Sequence, residues 1–369
     1  MRRKNVRALV ALLLALAVVG AACSDDATEA SEPIEASETT EASGTTEAAD
    51  TTEAGETGEE GDAATDGEAF DRTGWPESIT FGAVPSEQAA TLETSYAVTL
   101  EILEAELGVD IEFFQAADYA GIVEAQVAGT IDVAQYGPFS FIIAENNGAD
   151  IQPVGVMTAG PDVEPGYRAY AVTQATNEEI NGLADFAGRQ VCFVDPGSTS
   201  GFLYPSSGLL AEGIDPQSGV TATFAGGHDA SAISVANGTC EAGFAFDSMI
   251  TSILIDSGDV TGVIDATGEG EDVGEEADAN LKIVWKSPVI AGSPMAINNQ
   301  LPQSFIDAFT EVMTTKVNED WASENDFCEL GSCRFSDEDI WGYTYRDTTF
   351  FDGVRQVCEE TKSPACLEG

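Results

Sequence analysis

The sequence predicts an α/β fold: two doubly wound lobes with mixed, mostly parallel sheets, joined by two crossovers. Three observations predict it. Short apolar runs of strand character alternate with longer runs whose apolar residues recur near every 3.6 positions. The alternation falls in two blocks, 79–146 and 191–255, each long enough for its own sheet. Extended apolar stretches at 168–173 and 281–298 run between the blocks and back. Repeated βα units put strands parallel and helices on both faces of a sheet.

In order, 79–84 reads as the first strand and 89–107 as a helix stopped by Gly108. A second strand follows at 109–114, a helix at 120–128, a third strand at 132–136 and a helix from 139. The runs 191–194, 221–224 and 242–246 repeat the rhythm, and 301–318 returns as a helix on the first lobe. Ligands in open α/β sheets lie beyond the carboxyl ends of the strands, so two facing lobes place one in the cleft between them.

The first residues do not belong to that fold. Arg2, Arg3, Lys4 and Arg7 precede an apolar stretch, 8–19, too short to span a bilayer. Gly20, Ala21, Ala22 and Cys23 close it with small residues, as in a bacterial lipoprotein signal. Residues 1–22 are therefore expected to be removed and Cys23 to be lipidated. A plain secretory signal cleaved after Ala22 is the alternative. Residues 24–71 are mostly Thr, Glu, Ala, Gly and Asp, with no Lys or Arg and almost no large apolar residue, a composition unable to bury a core. With Cys23 they read as an acidic tether, 23–74, holding the body near a membrane. The body divides into lobe 1 (75–170 plus 295–345), lobe 2 (171–294) and a cysteine-containing tail (346–369).

Charge excludes some functions. Lys and Arg number 14 against 65 Asp and Glu, a formal net charge of −51. No basic patch exists for nucleic acid or anionic lipid, so membrane contact is expected through the lipid alone. An anionic ligand must be held by short-range dipoles. The chain has seven cysteines, and setting Cys23 aside leaves an even number. Cys192 and Cys240 each open a predicted strand, and neighbouring parallel strands bring such residues within bridging reach. Cys328, Cys333, Cys358 and Cys366 are expected to pair among themselves, in a connectivity the sequence leaves open. An exported chain without a nearby His favours disulfides over zinc, so neither a metal nor a cofactor is expected. The acid-rich 268–278 lacks the order of a calcium loop and reads as a solvated insertion.

The segment 195–201, Asp-Pro-Gly-Ser-Thr-Ser-Gly, carries most of the chemistry. It links a buried strand to a helical run. Unpaired backbone N–H groups and a positive helix end meet Ser198, Thr199 and Ser200 there. One hydroxyl suffices for a helix cap; three make an oxyanion cradle without Lys or Arg. His228, the only histidine, precedes another helical run, where it either caps or binds.

Together these residues carry a family resemblance. Phe81 to Ser86, then Asp118 and Tyr119, then the run Asp132 to Pro138, are its first part. The 195–201 turn, Gly227 to Ser231, Asn237 and Gly238, Ala242 and Gly243, and Asp247 follow in order. Over about 78–315 the chain resembles the phosphate, phosphite and phosphonate-binding proteins of ABC importers. The resemblance implies a type II periplasmic-binding fold that closes on its ligand, and a permease and an ATPase as partners of a monomer. It implies that Ser198, Thr199, Ser200 and His228 hold oxygens from one lobe, with Tyr119 and Tyr136 from the other and Tyr167 at the first crossover. It makes Asp247 the acceptor for a ligand ammonium. Relatives often carry an acid in the return crossover; here 288–294 offers only Ser293, so amine recognition would rest on Asp247 alone. Two other classes remain open: a hydrolase using Ser198, His228 and Asp229 or Asp247, and a sensor domain without transport. In the first, Thr199 rather than a serine sits at the centre of the would-be nucleophile turn.

Overall fold

A computed structural model describes residues 70–270, 272–274 and 278–366. The signal 1–22, Cys23 and nearly all of the tether lie outside them. The strands in chain order are β1 (Ser78–Ala83), β2 (Asp110–Phe114), β3 (Val133–Gln135), β4 (Ile151–Thr158), β5 (Gly166–Tyr167), β6 (Ala169–Gln174), β7 (Gln190–Phe193) and β8 (Thr221–Phe224). Then come β9 (Ala242–Phe246), β10 (Gly262–Asp265), β11 (Val273–Gly274), β12 (Leu281–Lys286), β13 (Ile290–Ala291), β14 (Pro294–Asn298) and β15 (Gly342–Thr344). The helices are α1 (Ala89–Ser95), α2 (Ala97–Leu107), α3 (Tyr119–Val127), α4 (Pro138–Asn146), α5 (Tyr204–Ala211), α6 (His228–Ala236), α7 (Leu254–Asp256), α8 (Gln303–Thr315), α9 (Glu319–Glu324) and α10 (Asp352–Thr361).

Each lobe has its own sheet. The first runs β15-β4-β14-β3-β1-β2 and the second β11-β10-β12-β6-β9-β7-β8. Parallel trios, β2-β1-β3 and β8-β7-β9, form one edge of each. These trios are the βα repeats legible in the sequence. The strands that enter or leave a lobe, β14 and β6, lie antiparallel beside them, which makes both sheets mixed. The two crossovers meet as a small ribbon, Ile290 of β13 opposite Tyr167 of β5.

Local chemistry sets the ends of the elements. The Asp118 side chain caps α3 by accepting from Gly121 N at 2.9 Å. Pro138 opens α4, where its missing N–H costs nothing. Gly108 ends α2 with φ 65°, a left-handed turn that glycine adopts without strain. Lobe 1 is held by α8, whose Phe305, Phe309 and Val312 are fully buried against Ile102 and Leu103 of α2. In lobe 2, Phe193 stacks on Phe244 with ring centroids 5.3 Å apart. Each such ring contributes roughly 2–3 kcal/mol by leaving water.

Disulfides join Cys192 to Cys240, Cys328 to Cys333 and Cys358 to Cys366. The first ties β7 to the strand start beside it, and the others fix the connectivity the sequence left open. Beyond 345 the chain is more than a tail. α10 packs on α4 of lobe 1, on α5 of lobe 2 and on β13. Among the described residues, no helix is long and apolar enough to cross a membrane.

Candidate functional site

After β7 the chain makes one widened turn before α5. Leu203 N bonds Ser198 O, five residues back, at 3.0 Å. The Ser198 Oγ accepts from Gly201 N at 3.0 Å, so the serine caps this turn. Gly201 is required there: a Cβ would fall 2.3 Å from Val194 Cγ2. The turn presents Ser198, Thr199 and Ser200, all 1–2% exposed, to a cavity between the lobes.

The same cavity is lined by Tyr119 at the start of α3, Tyr136 beyond β3, Tyr167 on the crossover ribbon and His228 at the start of α6. The lobes touch directly around it. His228 N donates to Ser86 O at 2.7 Å, and Thr199 Oγ1 accepts from Phe139 N at 2.8 Å. This is a closed cleft.

His228 shows how the site works without charge. Its Nδ1 accepts from Phe246 N at 3.2 Å, which assigns the proton to Nε2. Nε2 lies 3.3 Å from Ser198 Oγ. Burial pushes the imidazole down to about 3, so the ring is a neutral Nε2–H donor at physiological pH. The Tyr119 hydroxyl faces the Ser198 side chain, and the Tyr167 hydroxyl faces those of Thr199 and Ser200. Burial raises both phenols, so they too remain protonated donors. Tyr136 lines the cavity, but its hydroxyl donates to Gln126 Oε1 at 3.3 Å.

Asp247 lines a neighbouring pocket with Tyr167 and Glu338 rather than this cavity. Its carboxylate accepts from Arg168 N and Ser248 N, each at 3.0 Å, and so fixes the chain beyond β9. The acidic wall comes instead from Asp337 and Glu338, which the sequence reading missed. Asp337 accepts from Ser86 Oγ and the Tyr96 hydroxyl. Glu338 accepts from Ser293 Oγ at 2.6 Å. Ser293 thus holds an acid rather than replacing one. Nothing in the sequence marks Asp337 and Glu338, because they sit in one more acidic loop of an acidic chain.

The Ser198–His228 pair superficially suits a nucleophile and base. The base, however, carries its proton on the nitrogen facing Ser198, and its other nitrogen is met by a backbone N–H rather than a carboxylate. Asp229 is turned to Ala230 N at 2.7 Å and to Gln88 N. Among the described residues, no group of His, Cys, Asp and Glu is arranged to hold a metal ion.

The profile of the family described as "ABC transporter, phosphonate, periplasmic substrate-binding protein" matches residues 81–325. The chain belongs to this family. It is 43% identical over 300 residues to the phosphate-import protein PhnD of Mycolicibacterium smegmatis, covering 79% of this chain and 88% of that one. It is 28% identical to the phosphonates-binding periplasmic protein of Escherichia coli, over 63% of this chain and 64% of that one. Among solved structures, a binding protein of an ABC phosphonate transporter from Pseudomonas aeruginosa matches with TM-score 0.63 at 20% identity, covering 78% of this chain and 87% of that one. PhnD1 from Prochlorococcus marinus, in complex with methylphosphonate, matches with TM-score 0.62 at 16% identity over 78% and 99%. The fold is the type II periplasmic-binding fold, and the chain is the extracytoplasmic substrate-binding component of an ABC transporter. The family match stops at residue 325, short of Asp337 and Glu338.

Proposed function

We propose that this protein captures a small phosphorus oxyanion (phosphate, phosphite or a phosphonate) in the interlobe cleft and delivers it to an ABC permease driven by its ATPase. One observation carries the reading. A buried cavity gathers neutral donors from both lobes, Ser198, Thr199, Ser200 and His228 facing Tyr119 and Tyr167, with no Lys or Arg in its lining. Such fixed dipoles hold an oxyanion without the full desolvation of an ion pair. The relative named for phosphate import and the neighbour bound to methylphosphonate support the same ligand class.

Binding, not catalysis, is the role of Ser198 and His228: the ring neither accepts the serine proton nor has an acid to orient it. The protein acts as a monomer. It is held outside the membrane by lipid on Cys23 and by the 23–74 tether, after loss of 1–22. Lobe 1 (75–170 and 295–345) and lobe 2 (171–294) close as rigid parts, and 346–369 backs the junction.

Calorimetry with phosphate, phosphite, methylphosphonate and 2-aminoethylphosphonate tests the reading. At least one should bind with micromolar Kd or tighter, about −8 kcal/mol or better. Thr199→Val should weaken every ligand at least tenfold, and Thr199→Ser should restore binding. A Thr199→Val protein that folds and binds all of them unchanged would place the site elsewhere.

A further inference from the structure

The cleft's acidic wall has no counterpart in the donors so far described. Asp337 and Glu338 reach it from a segment that follows α9, after the residues matched by the family profile. That segment is built to hold them. Cys328–Cys333 closes the loop before it, and Phe335 beneath it is buried. β15 after it joins the lobe 1 sheet beside β4. Both Asp337 oxygens are occupied, by Ser86 and by Tyr96. Glu338 differs. Ser293 donates to its Oε1, and its Oε2 makes no hydrogen bond among the described residues.

We propose that Glu338 determines specificity by sharing one hydrogen with the bound oxyanion, so that the cleft selects a ligand that keeps a hydroxyl hydrogen: hydrogen phosphate. This rests on the oxyanion reading above. The physical reason is simple. A carboxylate against a fully ionised oxyanion repels it, whereas one hydrogen between them makes a strong charge-assisted bond. The hydrogen comes from Glu338 when it is protonated, or from the ligand when it is not. Hydrogen phosphate carries a P–OH across the neutral and alkaline range. Methylphosphonate dianion and sulfate carry none.

Burial, then the adjacent Asp337, push Glu338 up to about 8, while the Ser293 bond pulls it down. Asp247, beyond β9, adds to the rise. Arg168 directs its guanidinium to Ser287 O. Tyr167 and Tyr343 face the same acid and stay protonated. His228 stays neutral, having been pushed far below this range. Glu338 therefore changes charge within the range pH 6 to 10.

The test is calorimetry of phosphate, methylphosphonate and sulfate on the whole mature protein across that range. Phosphate affinity should change little. Methylphosphonate and sulfate should weaken above pH 8, approaching about tenfold per pH unit. Glu338→Gln, whose amide can donate or accept, should abolish that difference. Ser293→Ala should move the break to higher pH, and it reads the same group if Glu338→Gln folds poorly. Parallel pH profiles for the three ligands in the wild type would overturn the proposal while leaving the oxyanion cleft standing. So would a preference for 2-aminoethylphosphonate over phosphate that Glu338→Gln alone removes, which would make Glu338 an ammonium acceptor. Binding of none of the ligands would sink the cleft reading and this inference together.

Discussion

At residue scale, the site depends on groups kept neutral by burial, and that has a consequence for stability. His228 sits at about 3 in the folded protein against about 6.5 in an unfolded chain. A depressed folded value means the unfolded chain binds the extra proton. The stability is complete above pH 6.5 and is lost as pH falls toward 3, at about 1.4 kcal/mol per unit. Glu338 works with the opposite sign: its raised value favours the fold below the usual carboxylate range and is lost as pH rises through 8. His228→Gln should therefore flatten acid denaturation between pH 6 and 4, with little change above pH 7. Chemical denaturation at fixed pH steps reads this, and an unaltered acid limb in the variant would deny that His228 is buried neutral. The sequence showed that a lone His sat beside a cradle. It did not show the tautomer, because the deciding partner, Phe246 N, comes from a strand end eighteen residues away in sequence.

At the scale of elements, the turn after β7 carries the site, and Gly201 sets its shape. A methyl group there meets Val194, just past the end of β7, with Ser198 Oγ 2.8 Å away. Gly201→Ala should cost about 1–3 kcal/mol by overpacking. It should also weaken ligand binding, since Ser198 loses its place. A variant with wild-type midpoint in denaturant and unchanged affinity would contradict that geometry. The same strand is anchored by Cys192–Cys240, across a separation of 48 residues. Closing such a loop removes about 4 kcal/mol of unfolded-chain entropy on the simple model. Replacing both cysteines by alanine should lower stability toward that figure without moving the ligand preference. Most of this was legible: the βα rhythm places 195–201 at a strand end, and strand adjacency brings the two cysteines together. The acidic wall was not. Its position depends on β15 joining lobe 1 beside β4, a long-range pairing that no local pattern announces. Asp247 lies beside the cavity for a related reason: its strand-end position matched, but the Arg168 and Ser248 amides hold its oxygens.

At the scale of the molecule, closure and charge remain. The cradle residues are almost wholly buried, so a ligand reaches them only when the lobes part. The β5–β13 ribbon is where the crossovers meet, with α10 packed on β13, and a hinge would act there. Bonds such as Phe139 N to Thr199 Oγ1 must break on opening. Scattering on the free protein should show a larger radius of gyration than at saturating ligand; equal values would argue against a hinge. The chain's net charge of −51 then governs how the anion arrives. The field of such a body repels an approaching oxyanion, and only inside the cleft do short-range dipoles reverse the sign. Salt screens the repulsion, with a Debye length of about 10 Å at 0.1 M and about 30 Å at 0.01 M. The bound ligand is enclosed by direct contacts that salt hardly reaches. Raising ionic strength between those limits with a weakly coordinating salt should therefore speed phosphate association and leave dissociation nearly unchanged. Stopped-flow rates would show it. Association that slows with salt would mean that a local positive field draws the anion in, and that short-range dipoles alone are not how this acidic protein takes its ligand.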